Sequence, residues 1–260
     1  MTVGIKKSAG CGAGVKIFAA RNIKELLRSP ASWALGLALP IGLFLIMQVI
    51  IKSIGDEAAA YVPMFGVSRF TGGVLVFGMA FMSIFAALMI SGDRQTSFIT
   101  RLAVSPMKPQ SFIIGYVIGV MPIAAAQIVI TFIVALCFGL APTPNILLAV
   151  VFAALLSVLF ISIGVIFGSA MSAKAAPPTC SAVIQVAALL SGMWFDLDAI
   201  GGGFNVFCHV LPFAHGYDLI RYTLAGDYSK VWLPLLVVAA YTIAAAVAAV
   251  VVFAHGIKQK

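Results

Sequence analysis

Phe70-Thr-Gly-Gly-Val-Leu-Val-Phe-Gly-Met-Ala-Phe-Met-Ser-Ile-Phe-Ala-Ala-Leu-Met-Ile90 contains no Asp, Glu, Lys or Arg. A helix needs roughly 20 apolar residues to cross a hydrocarbon core. One ionisable side chain at its centre would cost about 2.5–3.5 kcal/mol on insertion scales. Outward from this run lie five more without a charged residue: 33–51 before it, then 112–138, 146–171, 179–195 and 231–254. The run at 179–195 is the shorter kind. The expected fold is an all-α polytopic membrane protein with six transmembrane helices in one domain, residues 31–260.

Composition agrees. Hydrophobic residues make up 62% of the chain and charged residues 9%, against about half and a quarter in soluble domains. That leaves no room for a large soluble module. The first apolar run is longer than a signal-peptide core and no clear A-x-A cleavage site follows it, so it reads as a retained span. The net charge of +8 does not point to nucleic acid, because the basic residues flank the apolar runs. With six spans, one side holds Lys6, Lys7, Lys16, Arg21, Lys24, Arg28, Arg94, Arg101, Lys108, Lys174, Lys258 and Lys260. The other holds Lys52, Arg69, Arg221 and Lys230. The positive-inside rule then places both termini in the cytoplasm.

Catalytic and metal chemistry find little footing. Cys11, Cys137, Cys180 and Cys208 are far apart and form no C-x-x-C pair, so no metal site is expected. No G-x-S-x-G, H-E-x-x-H or P-loop occurs. Of the three histidines, His209 and His215 lie in the outer segment and His255 at the cytoplasmic end of the last span, and they read as interface residues. An intramembrane enzyme is therefore disfavoured, and any use of ATP requires another chain. An ion-coupled secondary transporter is a rival, but the six runs lack the ionisable groups that relay ions. Gln48, Gln127 and Gln185 are the strongest polar groups in the spans. Helix-to-helix hydrogen bonding is their default role, and they are the candidate polar groups of a pathway. Gly115-Tyr-Val-Ile-Gly119 and Gly164-Val-Ile-Phe-Gly168 permit close helix packing.

Four stretches outside the spans can be read. Residues 1–14 are small, basic and expected to be disordered. Residues 15–30 are expected to form an amphipathic elbow at the membrane interface. Val15, Ala19, Ile23, Leu26 and Leu27 share one face, and Arg21, Lys24, Glu25 and Arg28 the other. Ser29-Pro30 turns the chain. In the loop after the second span, Phe98 and Leu102 would share one side of a short helix. Arg94 and Arg101 would face a partner, and Pro106 and Pro109 would end it. Residues 196–230 are too apolar for a plain loop. Phe204, Phe207, Cys208 and Leu211, then Tyr217, Ile220 and Leu224, recur at helical spacing around Pro212. This predicts a short outer helical hairpin before the last span, with Asp218 and Arg221 paired on one face.

These segments, in this order, resemble the permease subunits of ABC type-2 exporters over nearly the whole chain. Arg101-Leu102-Ala103 and Ser105-Pro106 match that family's first cytoplasmic loop, although Thr96-Ser97 stands where Gly-Thr is usual and Gln95 where an acid is common. Ser191-Gly192, Leu211-Pro212-Phe213 and Asp218-Leu219-Ile220-Arg221 match its outer segment. The resemblance implies a permease without cofactor of its own, working with a cytoplasmic ATPase subunit that binds ATP and Mg. It also implies a second permease copy or paralogue, membrane lipid around the pair, and a prokaryotic cell membrane. Asp93, Arg94, Phe98, Arg101, Leu102, Ser105 and Pro106 would couple to the ATPase. Arg21, Lys24 and Arg28 would lie on the interfacial helix beside them. Leu211, Pro212, Phe213, Asp218 and Arg221 would form the outer gate. The cargo expected is amphiphilic or lipophilic: a drug, peptide, lipid or lipid-linked glycan.

Overall fold

The computed structural model describes residues 11–59, 61–96 and 109–258, and among them every regular element is a helix. Helix α1 (Cys11–Leu27) begins four residues before the expected start of the elbow; most of the expected tail lies outside the described residues. Ser29 ends this unit: its hydroxyl accepts from the Ser32 amide, and Pro30 takes the first position of α2 (Pro30–Trp33). Trp33 Nε1 donates to the Leu27 carbonyl, one of the acceptors that the end of α1 leaves open. A π-helical turn, Ala34–Ala38, then leads into α3 (Leu39–Ala59).

The chain continues through α4 (Val67–Gln95), α5 (Pro109–Cys137) and α6 (Asn145–Ala170). Helix α7 (Ala176–Leu190) follows, then α8 (Leu197–Ile200), α9 (Gly202–Val210), α10 (Pro212–Ala225) and α11 (Tyr228–Lys258). Among the described residues five helices are long and apolar enough to cross a bilayer: Pro30–Gly55, Val67–Gln95, Gln110–Cys137, Asn145–Ala170 and Tyr228–Gly256. Helix α7 is shorter, about 22 Å long at 1.5 Å per residue, against a hydrocarbon core of roughly 30 Å. The helix expected to reach residue 195 stops at Leu190. Gly192 lies just beyond, with φ of 87°, a conformation that costs other residues dearly. In the turn 191–196 that follows, Met193 and Trp194 pack on the core.

Helix α4 is the axis of the bundle, packed by α3, α5, α6, α7 and α10. Its apolar window is 94% buried, which explains why the opening run tolerates no charge. The second G-x-x-x-G motif brings α6 against the backbone of α4. A Cβ on Gly164 would collide with the Ser83 carbonyl, and one on Gly168 would come within 2.8 Å of Ala87 Cα. The peripheral helices instead expose apolar side chains: Ile46 and Val49 on α3, Leu147 and Val151 on α6, Leu236 and Ile243 on α11. Water does not tolerate so continuous a belt, and lipid does.

The bundle has two distinct ends. One carries α1, the ends of α4 and α6, and the end of α11; it is called the basic face below. From the other, the hairpin face, residues 202–225 fold back into the bundle.

Candidate functional site

The basic face is organised by Asp93 and Arg94, neighbours in the last turn of α4. Asp93 is buried, its side chain 6% exposed. Arg21 of α1 grips its carboxylate with both terminal nitrogens, at 2.6 and 2.9 Å, the bidentate geometry that suits guanidinium to carboxylate. Tyr116 of α5 donates a third hydrogen bond at 2.9 Å. Arg21 also meets Glu25 at 3.0 Å. The hydrogen bond to Asp93 raises the pKa of Arg21 further above its ordinary value, against the opposing effect of burial. Arg94 turns the other way. Its Nη1 donates to the carbonyls of Gly168, Ser169 and Met171 at the end of α6. Those acceptors lack intrahelical partners and carry the negative end of the helix dipole. Arg94, expected to face a partner, is therefore engaged within the chain, and Asp93 joins α1, α4 and α5.

The first G-x-x-x-G motif receives α1. A Cβ on Gly115 would collide with the Phe18 ring, and one on Gly119 would lie 2.6 Å from Asn22 Cβ. Asn22 Nδ2 donates to the Gly115 carbonyl at 3.3 Å, and Phe18 meets Phe112 and Tyr116 edge-on. The buried face of α1 is thus Phe18, Ala19, Asn22 and Leu26; Ala19 and Leu26 belong to the expected stripe of Val15, Ala19, Ile23, Leu26 and Leu27, whereas Val15 and Ile23 are half-buried and Leu27 is exposed. A glycine groove accepts a flat ring and a small amide, so shape and not hydrophobicity alone sets the docked face. Lys24 and Arg28 remain exposed. Phe98, Arg101, Leu102, Ser105 and Pro106 lie outside the described residues, in the connection from Thr96 to Pro109.

At the hairpin face the expected helical pair is present and enters deeply. Leu211 has extended backbone (φ −94°, ψ 153°) and Pro212 opens α10. Phe213 stacks on Phe160 at 5.6 Å, about 22 Å along α6 from its start at the hairpin face. Tyr241, about 20 Å down α11, donates to the Val210 carbonyl at 2.7 Å. The Leu211–Pro212 tip therefore lies near the middle of the bundle. The expected apolar stripe of α9 divides: Cys208 is buried, while Phe204 and Phe207 are exposed alongside Val206 and Val210. On α10, Tyr217 and Ile220 are buried as expected.

The hairpin brings ionisable groups into the bundle. Asp218 meets Arg221 at 3.1 Å and His209 Nε2 at 3.1 Å, and Arg221 continues to Asp198 at 3.0 Å. His215 Nε2 lies 3.0 Å from the His209 carbonyl. The Asp218–Arg221 pair, expected on an exposed helix face, is mostly buried and part of a network. Arg69 at the start of α4 meets Asp196 at 2.9 Å. Burial works against the Asp196 carboxylate, but this bond and the amides of α8 hold its pKa below the ordinary value.

The glutamines are not gathered together. Gln48 is buried and donates to the Phe65 carbonyl at 3.0 Å. Gln127 is buried over Gly78, with Nε2 3.3 Å from Thr131 Oγ1. Gln185 is exposed on α7. Sequence reading missed Tyr116, Asn22 and the His209–Asp218 contact. Only Tyr116 left a signal, standing beside Gly115 in the motif. Among the described residues no group of His, Cys, Asp and Glu suits a metal ion.

Residues 13–225 match the family model described as ABC-2 type transporter. No curated protein matches the chain.

Proposed function

The chain belongs to the ABC-2 type transporter family, and from this we propose that it is the membrane-spanning permease of an ATP-driven exporter. The observation that carries the reading is the bracing of the last turn of α4, which precedes the connection 97–108 in the chain. That turn is tied to α1 and α5 through Asp93 and to α6 through Arg94. A force on that connection would reach four helices at once. Such an arrangement suits a docking site for a separate ATPase, which supplies energy by favouring one packing of the bundle over another.

The excess of basic residues at the same end supports a cytoplasmic location for it and for both termini. The apolar belt and the absence of a charged channel in the long spans suit an amphiphilic or lipophilic cargo. A second permease copy or paralogue would complete the pathway, with the Pro212 tip as part of the outer gate. The test is reconstitution of the chain with its candidate ATPase in proteoliposomes, where ATP should drive export. The double change Arg101→Glu with Ser105-Pro106 replaced by Ala-Ala should abolish substrate-stimulated hydrolysis and leave membrane insertion normal. Unchanged stimulation would remove the connection from the coupling role.

One observation favours a second reading. The hairpin places His209 and Asp218 inside the bundle, and ionisable groups at such depth are the usual mark of ion relays. Transport that persists without ATP and collapses with an ion gradient would establish ion coupling and overturn the first reading.

A further inference from the structure

We propose that the cleft between the hairpin and α11 binds the headgroup of an amphiphile bearing a protonated primary amine. The cleft measures about 720 Å³, within the usual range for small-molecule sites. Its walls are apolar: Val206 and Val210 from α9, Leu233 and Pro234 from α11. Val206 and Leu233 are 69% and 66% exposed, so the mouth opens to the lipid belt and not only to the hairpin face. Its floor is polar, made by Asp198, Asn205, His209 and Asp218.

That floor is short of donors. Asn205 Oδ1 is buried and has no hydrogen-bond partner. Pro234 lies inside α11 and has no N–H, so the Lys230 carbonyl one turn earlier loses its helical donor. Asp198 spends Oδ2 on Arg221 and is 60% exposed in its side chain. Lys230, the one ammonium among the described residues that line the cleft, is held 2.9 Å from Asp227. Arg221 Nε also lacks a partner, but Arg221 does not line this cleft. Unmet acceptors cost free energy in a site partly removed from water. A primary ammonium offers three N–H donors and one positive charge, and Asp198 and Asp218 face it. The exposed apolar side chains Leu236, Ile243 and Val247 continue along α11 and provide a track for an alkyl chain. A phospholipid with an ethanolamine head and a free lipophilic amine present the same chemistry.

The inference rests on the membrane placement of the hairpin and not on ATP drive, so its test needs neither ATPase nor nucleotide. The full chain in maltoside micelles is photolabelled with a diazirine-bearing dodecylamine and, separately, with the matching dodecanol. Labelled peptides are mapped by mass spectrometry. The amine should label residues 202–211 and 230–236 about tenfold more than the alcohol, as expected for a charge-assisted hydrogen bond. Asp198→Asn and Asn205→Leu should each cut this labelling at least fivefold. Asp198 is exposed enough that its change leaves folding intact, which a monodisperse elution profile checks. Competition by unlabelled phosphatidylethanolamine would identify a lipid as the occupant, and competition by dodecylamine alone a free amine; both support the site. Equal labelling by amine and alcohol, labelling unchanged in both variants, or equal competition by phosphatidylcholine would overturn it.

Discussion

Replacing Asp93 with Ala should release α1 from the bundle before it unfolds anything else. The carboxylate accepts three hydrogen bonds, two from Arg21 and one from Tyr116. Removing it leaves the fully buried Tyr116 hydroxyl without this partner, a loss worth about 1–3 kcal/mol. Breaking a buried ion pair from one side costs about 3–5 kcal/mol. Arg21 is 37% exposed and still meets Glu25, so solvent screening discounts that figure. A combined cost of about 2–4 kcal/mol follows. It falls on the attachment of α1, because position 93 is itself held within α4. Hydrogen exchange by mass spectrometry on the full chain in micelles measures it. Amides of α1 should exchange about 30-fold to several hundredfold faster, at 1.36 kcal/mol per decade, while those of α4 and α6 change little. Exchange within threefold of the parent in α1, with the fold intact, would refute the assignment of Asp93 as the anchor.

Three further outcomes follow from the same packing. Gly115→Val should give the same α1 exchange signature by driving a side chain into Phe18, whereas Gly42→Val, with nothing within 4 Å, should be silent in that assay. Gly164→Leu should lower thermal stability by more than about 3 kcal/mol, in the range of severe overpacking, because the obstacle is the Ser83 backbone; a melting curve unchanged from the parent would contradict the packing of α4 on α6. Asp196→Asn should cost at most about 1 kcal/mol at pH 7, since its partner Arg69 is 40% exposed. The Asp196 pKa is depressed in the folded state, so its contribution is present above the unfolded value and lost as pH falls through the folded one. The difference from the parent in denaturant titrations should therefore vanish at acid pH.

Much of this architecture was legible because lipid imposes one strong rule per segment. A run without charge, long enough to cross, reads as a span, and all the long helices follow that rule. The hairpin was legible from helical spacing on either side of Pro212, since a residue before proline is pushed out of the helix. Depth was not legible. Whether residues 202–225 lie on the bundle or inside it depends on Phe213 finding Phe160 and on Tyr241 finding the Val210 carbonyl, contacts between residues far apart in sequence. The same limit hid the site at the basic face. Arg21, Asp93 and Tyr116 belong to three helices, and nothing local marks them as partners. Periodicity also missed part of the buried face of α1, because a glycine groove selects Phe18 and Asn22 by shape.

These contacts bear on how the two ends of the molecule relate. Arg94 binds the end of α6, and Phe213 stacks on Phe160 of that same helix, about 13 Å away along its axis. Between these points Gly164 and Gly168 press α6 onto the backbone of α4 with no side chain intervening. Helices in such contact cannot slide without collision, since a packed interface has discrete arrangements and little compliance. The α4–α6 pair should then move as one body, carrying the base of the 97–108 connection and the seat of the hairpin tip together. Helix α1 sits outside this body, joined chiefly through Asp93 and the Gly115 groove. A displacement at the basic face therefore has two separable consequences. It moves α1 relative to α4 through one ion pair, and it moves the hairpin seat through a rigid helix pair. The Asp93→Ala variant removes the first link and leaves the second in place. If hairpin amides near Leu211 kept their parental exchange in that variant while α1 opened, the two links would be distinct, as the packing requires.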